Sequence, residues 1–171
     1  TMENDWNDLV KSQKSKTGNN PENKDLVKSY YFIFDCFNNE IEYINNTFQL
    51  VTGYDNAEFT IDKLLAIIHP DDFNYFLASE ERGLKFTNSL SYTDHFRYQL
   101  SYTYRMLNSS NNYIWMRQFC QAIEVNEKGH LTKTLVRHQQ IDDNYVRSAN
   151  DYRILDKNTN LLLDINNIYN L

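Results

Sequence analysis

The stretch IEYINNTFQLVTGYDNAEFTIDKLLAIIHPDD, residues 41–72, decides the fold. It opens as a strand, passes through a short apolar run at Thr47 and Phe48, and stops at Gly53-Tyr54. A polar break at Asp55-Asn56 follows, then Glu58-Phe59, an apolar segment around Leu64, Leu65, Ile67 and Ile68, and His69-Pro70-Asp71-Asp72. This is a string of very short helices. Asn45 is expected to cap the first, since its side-chain oxygen can accept an orphan N–H of the first turn. Gly53 sits where a left-handed C-terminal residue costs least. Thr60 is placed to cap the second helix. Pro70 suits the first position of a third, where its missing N–H is no loss. Asp71 and Asp72 then occupy a first turn whose dipole favours carboxylates.

Working outward, residues 30–35 (YYFIFD) form an apolar run rich in aromatics, read as a strand, with a turn at Asn38-Asn39 and a return strand at 40–44. Downstream of residue 72, a helix is predicted to about residue 90. Its apolar face carries Phe73, Phe76, Leu77 and Leu84, with Asn74, Glu81 and Arg82 mostly elsewhere. Gly83 within it costs about 1 kcal/mol relative to Ala and marks a weak point or a kink. Residues 91–95 read as a loop. Residues 97–106 alternate strictly: Tyr98, Leu100, Tyr102, Tyr104 and Met106 on one face, Arg97, Gln99, Ser101, Thr103 and Arg105 on the other. After turns at NSSNN (108–112) and NEKG (126–129), strands follow at 113–125 and 131–141.

Hairpin-connected strands with all helices between strands two and three give an α+β fold, a five-stranded antiparallel sheet with short helices and one long helix on one face. The order and spacing of Asn46, Phe48, Thr52-Gly53-Tyr54, Glu58-Phe59 and Ile68-His69-Pro70-Asp71-Asp72 resemble a PAS domain. Tyr104-Arg105 and Tyr113-Ile114-Trp115 resemble that family's later strands. The resemblance spans roughly residues 30–141. It is nearest to the PAS modules that precede a helix-turn-helix domain in bacterial transcription regulators of the LuxR type. It implies a non-enzymatic sensory and dimerising module, acting as a homodimer in a bacterial cytoplasm, with a DNA-binding output domain joined to it. Where PAS sheets often end in an Asp-Ile-Thr-like signature leading to an output helix, this chain has Gln140-Ile141-Asp142.

The domain layout expected is an N-terminal helix and linker (1–24), a PAS-like domain (25–142) and a C-terminal extension (143–171). The extension reads either as a short hairpin plus a final helix or as a linker to an output domain. In residues 3–16, Trp6, Leu9, Val10 and Gln13 recur at helical spacing, with acids early and lysines late. That stripe packs on the domain's own sheet or on a second subunit. Trp6, Leu9 and Val10 are the candidate dimer contacts.

Composition bounds function. The 171 residues carry a net charge of −6 and are 41% hydrophobic and 15% aromatic, with 13 Tyr and 10 Phe. That aromatic content supplies a real core. The acidic balance is the wrong sign for a nucleic-acid grip within this chain. Cys36 and Cys120 have neither metal spacing nor a disulfide framework, which suits a reducing compartment. No apolar run reaches membrane length.

His69 with Asp71 and Asp72 has the elements of an acid–base site, but a helix-entry motif explains the same residues. An α+β enzyme using His69 or His138 around an interior cavity is the alternative function. His69, His95, His130 and His138 are too scattered for a metal site. Haem would need one axial His in a large pocket, and the reactive Asn-Cys-Arg-like motif of flavin photosensors is missing. No cofactor is therefore expected. A small-molecule pocket between helices and sheet would be lined by Phe48, Leu64, Tyr102, Tyr104, Trp115 and Phe119, with Tyr hydroxyls or His138 as its polar groups.

Overall fold

The computed structural model of the chain describes residues 28–165 together with residues 5, 7, 8 and 10–12. Those N-terminal residues are helical and Val10 is half-buried; Trp6 and Leu9 lie outside the described residues, as do residues 25–27 and 166–171.

Strands β1 (Ser29–Asp35) and β2 (Glu40–Ile44) form a hairpin. Three helices follow: α1 (Thr47–Thr52), α2 (Ile61–Ile67) and α3 (Pro70–Asn88). Then come β3 (Tyr98–Leu107), β4 (Tyr113–Val125), β5 (Leu131–Gln140), β6 (Arg153–Asp156) and β7 (Leu161–Leu162). All seven strands join one antiparallel sheet in the order β2-β1-β5-β4-β3-β6-β7. The fold is α+β as expected, with seven strands among the described residues in place of five. The two additional strands come from the extension: Leu100 pairs with Ile154, which is fully buried, so residues 153–162 continue the sheet rather than leave it. One reading of the extension, a short hairpin, is found in β6 and β7; that it docks on β3 is not encoded in its own sequence.

The helix signals hold with one exception. Thr60 accepts from the Lys63 N–H at 3.1 Å, and Pro70 opens α3 with His69 Nδ1 accepting from the Asp71 N–H at 3.1 Å. Gly53 adopts φ +78°, and a Cβ there would run into Ser109 Oγ, so position 53 needs glycine twice over. Asn45 does not cap α1. Its Oδ1 accepts from the Tyr31 N–H at 3.0 Å on β1, and Asn46 stands at the cap without a side-chain bond. The tertiary partner outcompetes the local one because it satisfies a strand N–H that would otherwise face the loop.

Gly83 does not kink α3, which runs unbroken over its 19 residues. A Cβ at Gly83 would lie 3.0 Å from Leu100 Cδ2, so the glycine lets the helix approach β3 closely. The core lies between the helices and the inner sheet face. Phe48 is fully buried against Tyr30 and Phe59, with ring centroids at 5.0 and 4.6 Å, and such burial contributes about 2–3 kcal/mol.

The free edge of β3 is closed without a strand. β6 pairs only with residues 98–101. Beyond them, the Thr103 N–H donates to Asp151 Oδ2 and the Arg105 N–H to Asp72 Oδ2, both at 2.9 Å. Arg147 Nη2 donates to the Thr103 carbonyl at 3.0 Å, and the His69 N–H to the Arg105 carbonyl at 2.9 Å. Side chains thus complete the ladder and remove an exposed edge. Among the described residues no helix is long and apolar enough to cross a membrane.

Candidate functional site

Between α2, α3 and the inner face of the sheet lies a cavity of about 580 Å³. Its helical wall is one stripe of α3, Phe76, Ser79, Glu80, Gly83, Leu84 and Thr87, spaced by three and four residues as an inward helix face must be. The sheet wall comes from Phe32 and Phe34 on β1, Leu100 and Tyr102 on β3, Gln118 and Cys120 on β4, and Val136 on β5. Leu64 and Leu65 of α2 close one side. The volume falls in the range of small-molecule sites.

A polar line crosses this apolar interior. Glu80 Oε1 accepts from the Tyr102 hydroxyl and from Gln118 Nε2, the latter at 2.9 Å. Gln118 Oε1 accepts from the Tyr104 hydroxyl at 2.7 Å and lies 2.9 Å from His138 Nε2. His138 Nδ1 stands 2.6 Å from the Tyr30 hydroxyl. One assignment satisfies every group: neutral His138 donates from Nε2 to Gln118 and accepts at Nδ1 from Tyr30. Burial pushes the His138 pKa down to about 3, which fixes the neutral ring.

Glu80 is the unusual member. It lines the cavity and keeps accessible surface. Burial raises its pKa, and the hydrogen bonds from Tyr102 and Gln118 only partly offset that. No Lys or Arg lines the cavity. His95 also lines the cavity, only 3% exposed, with neither ring nitrogen hydrogen-bonded among the described residues. It lies on a 3₁₀ turn, Thr93–Phe96, where a loop was expected. The Cys36 and Cys120 thiols also face the cavity, and burial raises both pKa values, Cys120 to about 12. Neither is a reactive thiolate at neutral pH.

Of the residues singled out from sequence, Leu64 and Tyr102 line the cavity. Phe48, Tyr104 and His138 lie beside it in the packed core, where His138 supports Tyr104 and Gln118. Trp115 and Phe119 are on the opposite sheet face. Tyr104 pairs with Met116 and Tyr102 with Gln118, so the inward residues of β4 are the even-numbered ones and the two odd-numbered aromatics point outward. There Trp115 packs on Tyr145 and Phe119 under Arg137. Glu80, His95 and Gln118 were missed. Glu80 lies four residues after Phe76 on the predicted apolar face, and that placement was the available signal.

The outer side of β3 carries a second polar cluster. Arg105 grips Asp72 with Nε at 2.8 Å and Nη2 at 3.0 Å, and Arg147 reaches the same carboxylate at 3.2 Å. Asp151 accepts from Thr103 Oγ1 at 2.8 Å, Tyr75 at 2.7 Å and Arg117 at 3.1 Å. Burial alone would raise both carboxyl pKa values. Hydrogen bonds outweigh it, with the Arg147 charge adding at Asp72, and hold both below the usual range.

An acid–base role at either expected histidine has no geometric support: His69 caps α3 and His138 is sealed in the core. Among the described residues, no three His, Cys, Asp or Glu side chains converge as a metal site would require.

No curated protein sequence matches the chain. Solved structures do. The N-terminal domain of a diguanylate cyclase with PAS/PAC sensor from Marinobacter aquaeolei superposes with TM-score 0.55 and 13% identity, over 66% of this chain and 94% of that one. A sensory box histidine kinase/response regulator from Burkholderia thailandensis gives 0.51 and 19%, over 72% and 84%. The Drosophila melanogaster Cycle PAS-B domain with bound ethylene glycol gives 0.50 and 13%, over 66% and 99%. At these identities the likeness is one of fold. A PAS fold profile matches residues 41–138, more than half of the sequence, and the chain therefore belongs to the PAS-fold family.

Proposed function

We propose that this chain is a non-enzymatic sensory module that responds to a small molecule held between α3 and the sheet. One observation carries the reading: a cavity of about 580 Å³ with apolar walls and a hydrogen-bonded polar line running to Glu80. A core filled by its own side chains would leave no such volume.

In this reading the signal passes through β3 and α3. Tyr102 faces the cavity, while its neighbour Thr103 holds Asp151 on the other side of the sheet. Helix α3 carries Glu80 within the cavity and offers Asp72 and Tyr75 to the outer cluster. A ligand that favours one setting of Glu80 and Tyr102 biases the seating of residues 142–151, and hence whatever follows them, by shifting a population between two arrangements. The finer reading is a cytoplasmic bacterial transcription regulator of the LuxR type. It is a homodimer through the Trp6, Leu9 and Val10 stripe, with a separate DNA-binding domain and no resident cofactor. Its support is the order of the Thr-Gly-Tyr and His-Pro-Asp-Asp motifs and the net charge of −6, which leaves DNA contact to another domain.

Native mass spectrometry beside a denatured control tests this. A small mass that departs on denaturation supports the sensor, and a dimer peak supports the assembly. A haem or flavin mass overturns the cofactor reading.

A further inference from the structure

Resting on the ligand-binding reading above, we infer that the cavity takes an apolar molecule bearing a protonated amine, with the amine held at Glu80 and a second polar atom at His95, and that it rejects carboxylates. Four observations converge. The wall contributes Phe32, Leu64, Leu65, Leu100 and Val136, so the body of the ligand must be apolar. No Lys or Arg lines the cavity, so an anion would find no countercharge there. Both donors to Glu80 converge on Oε1, and Oε2 receives no hydrogen bond from the described residues. His95 is 3% exposed, and both its ring nitrogens lack a partner among the described residues.

The contrast with the buried aspartates makes the point. Asp72 has Arg105 and Arg147, Asp151 has Arg117, and Asp156 has Arg97 at 2.6 Å. Asp35, buried without an ion pair among the described residues, accepts three hydrogen bonds from Phe37 and Asn38 over both its oxygens. Glu80 has neither a cation from the protein nor a donor at Oε2 among the described residues. Glu80 borders an apolar space that holds no countercharge, and an ammonium group at Oε2 would supply that charge and take the open acceptor. A carboxylate ligand would place like charges in the same low-dielectric space. The His95 ring nitrogens, without a partner among the described residues, offer a second polar contact that fixes orientation.

Three probes of one shape separate the possibilities: tryptamine, indole and indole-3-acetate, titrated calorimetrically into the whole chain. Tryptamine is expected to bind at least about tenfold tighter than indole-3-acetate, with indole between them. Glu80→Gln keeps an acceptor for Tyr102 and Gln118 and should bring the three probes to within about threefold of one another. His95→Phe should weaken tryptamine and indole together while leaving the preference for the amine, with circular dichroism checking the fold of each variant. Equal or tighter binding of indole-3-acetate overturns the amine assignment and leaves the sensor reading standing. So does an amine preference that survives Glu80→Gln, since that would place the amine on surface carboxylates. Failure of all three probes to bind at millimolar concentration overturns both.

Discussion

The two sides of β3 hold polar clusters of similar size and opposite character. On the outer side, each carboxylate meets a guanidinium and a backbone N–H: Asp72 with Arg105 and Arg147, Asp151 with Arg117 and the Thr103 N–H. On the inner side, Glu80 meets only neutral donors, Tyr102 and Gln118, and behind them a neutral histidine. The outer cluster is electrically closed and completes a strand edge. The inner one is open and borders a cavity. Charge compensation therefore separates a group that holds the fold from a group available to a ligand, although Asp72 and Glu80 share one helix and reach the same strand, β3.

The most severe test of that contrast is Asp72→Ala. It leaves the Arg105 guanidinium and the Arg105 N–H without their acceptor and takes a countercharge from Arg147, and should cost about 3–5 kcal/mol in a urea titration. A loss under about 1 kcal/mol would show that solvent already screens the cluster, and the distinction between the two sides would collapse.

The pH dependence of stability comes next. Asp72 and Asp151 have folded pKa values below their unfolded ones, so their stabilisation is complete above about pH 4 and is lost as pH falls further. Glu80 has the opposite sign. Its folded pKa is raised, so it disfavours the fold above that pKa and ceases to do so as pH falls toward its unfolded value. Urea midpoints measured from pH 3 to 8 should fall steeply on the acid side. A Glu80→Gln variant should retain that limb but lose the decline toward neutral pH, and an unchanged neutral side would contradict an uncompensated Glu80.

Tyr102→Phe removes a donor from Glu80 and an acceptor from Gln118, with an expected cost of about 1–2 kcal/mol. The smallest effect is Glu80→Gln at pH 7 without ligand. It should raise stability slightly, because the replacement keeps acceptors for Tyr102 and Gln118 and removes the charge. Clear destabilisation would instead make Glu80 a structural residue like Asp72.

Much of the fold was legible because its signals are local. Thr60, Pro70 and Gly53 do what their backbone chemistry allows almost anywhere. The alternation of residues 97–106 located the cavity-facing side of β3 correctly. The site was less legible. Trp115 and Phe119 were assigned inward because aromatics on neighbouring strands invite a shared face, and only the pairing of Tyr104 with Met116 fixes their parity. Glu80 resembled a surface acid on a charged helix, and His95 lay in a segment without periodicity. The face of β3 that carries Ser101 and Thr103 is buried as well, because residues 142–151 fold back over it.

By itself, the sequence determined where helices and strands begin, which face of β3 turns inward, and the α+β class, since capping, turn chemistry and period-two alternation act within a few residues. Only the tertiary structure decided strand register, the addition of β6 and β7, the closure of the β3 edge by Asp72 and Asp151, and the meeting of Glu80 with Tyr102 and Gln118. The pairing of β3 with β6, the closure of its edge and the meeting at Glu80 depend on contacts between residues 22 to 58 positions apart, whose free energy comes from burial and charge compensation that no local pattern encodes.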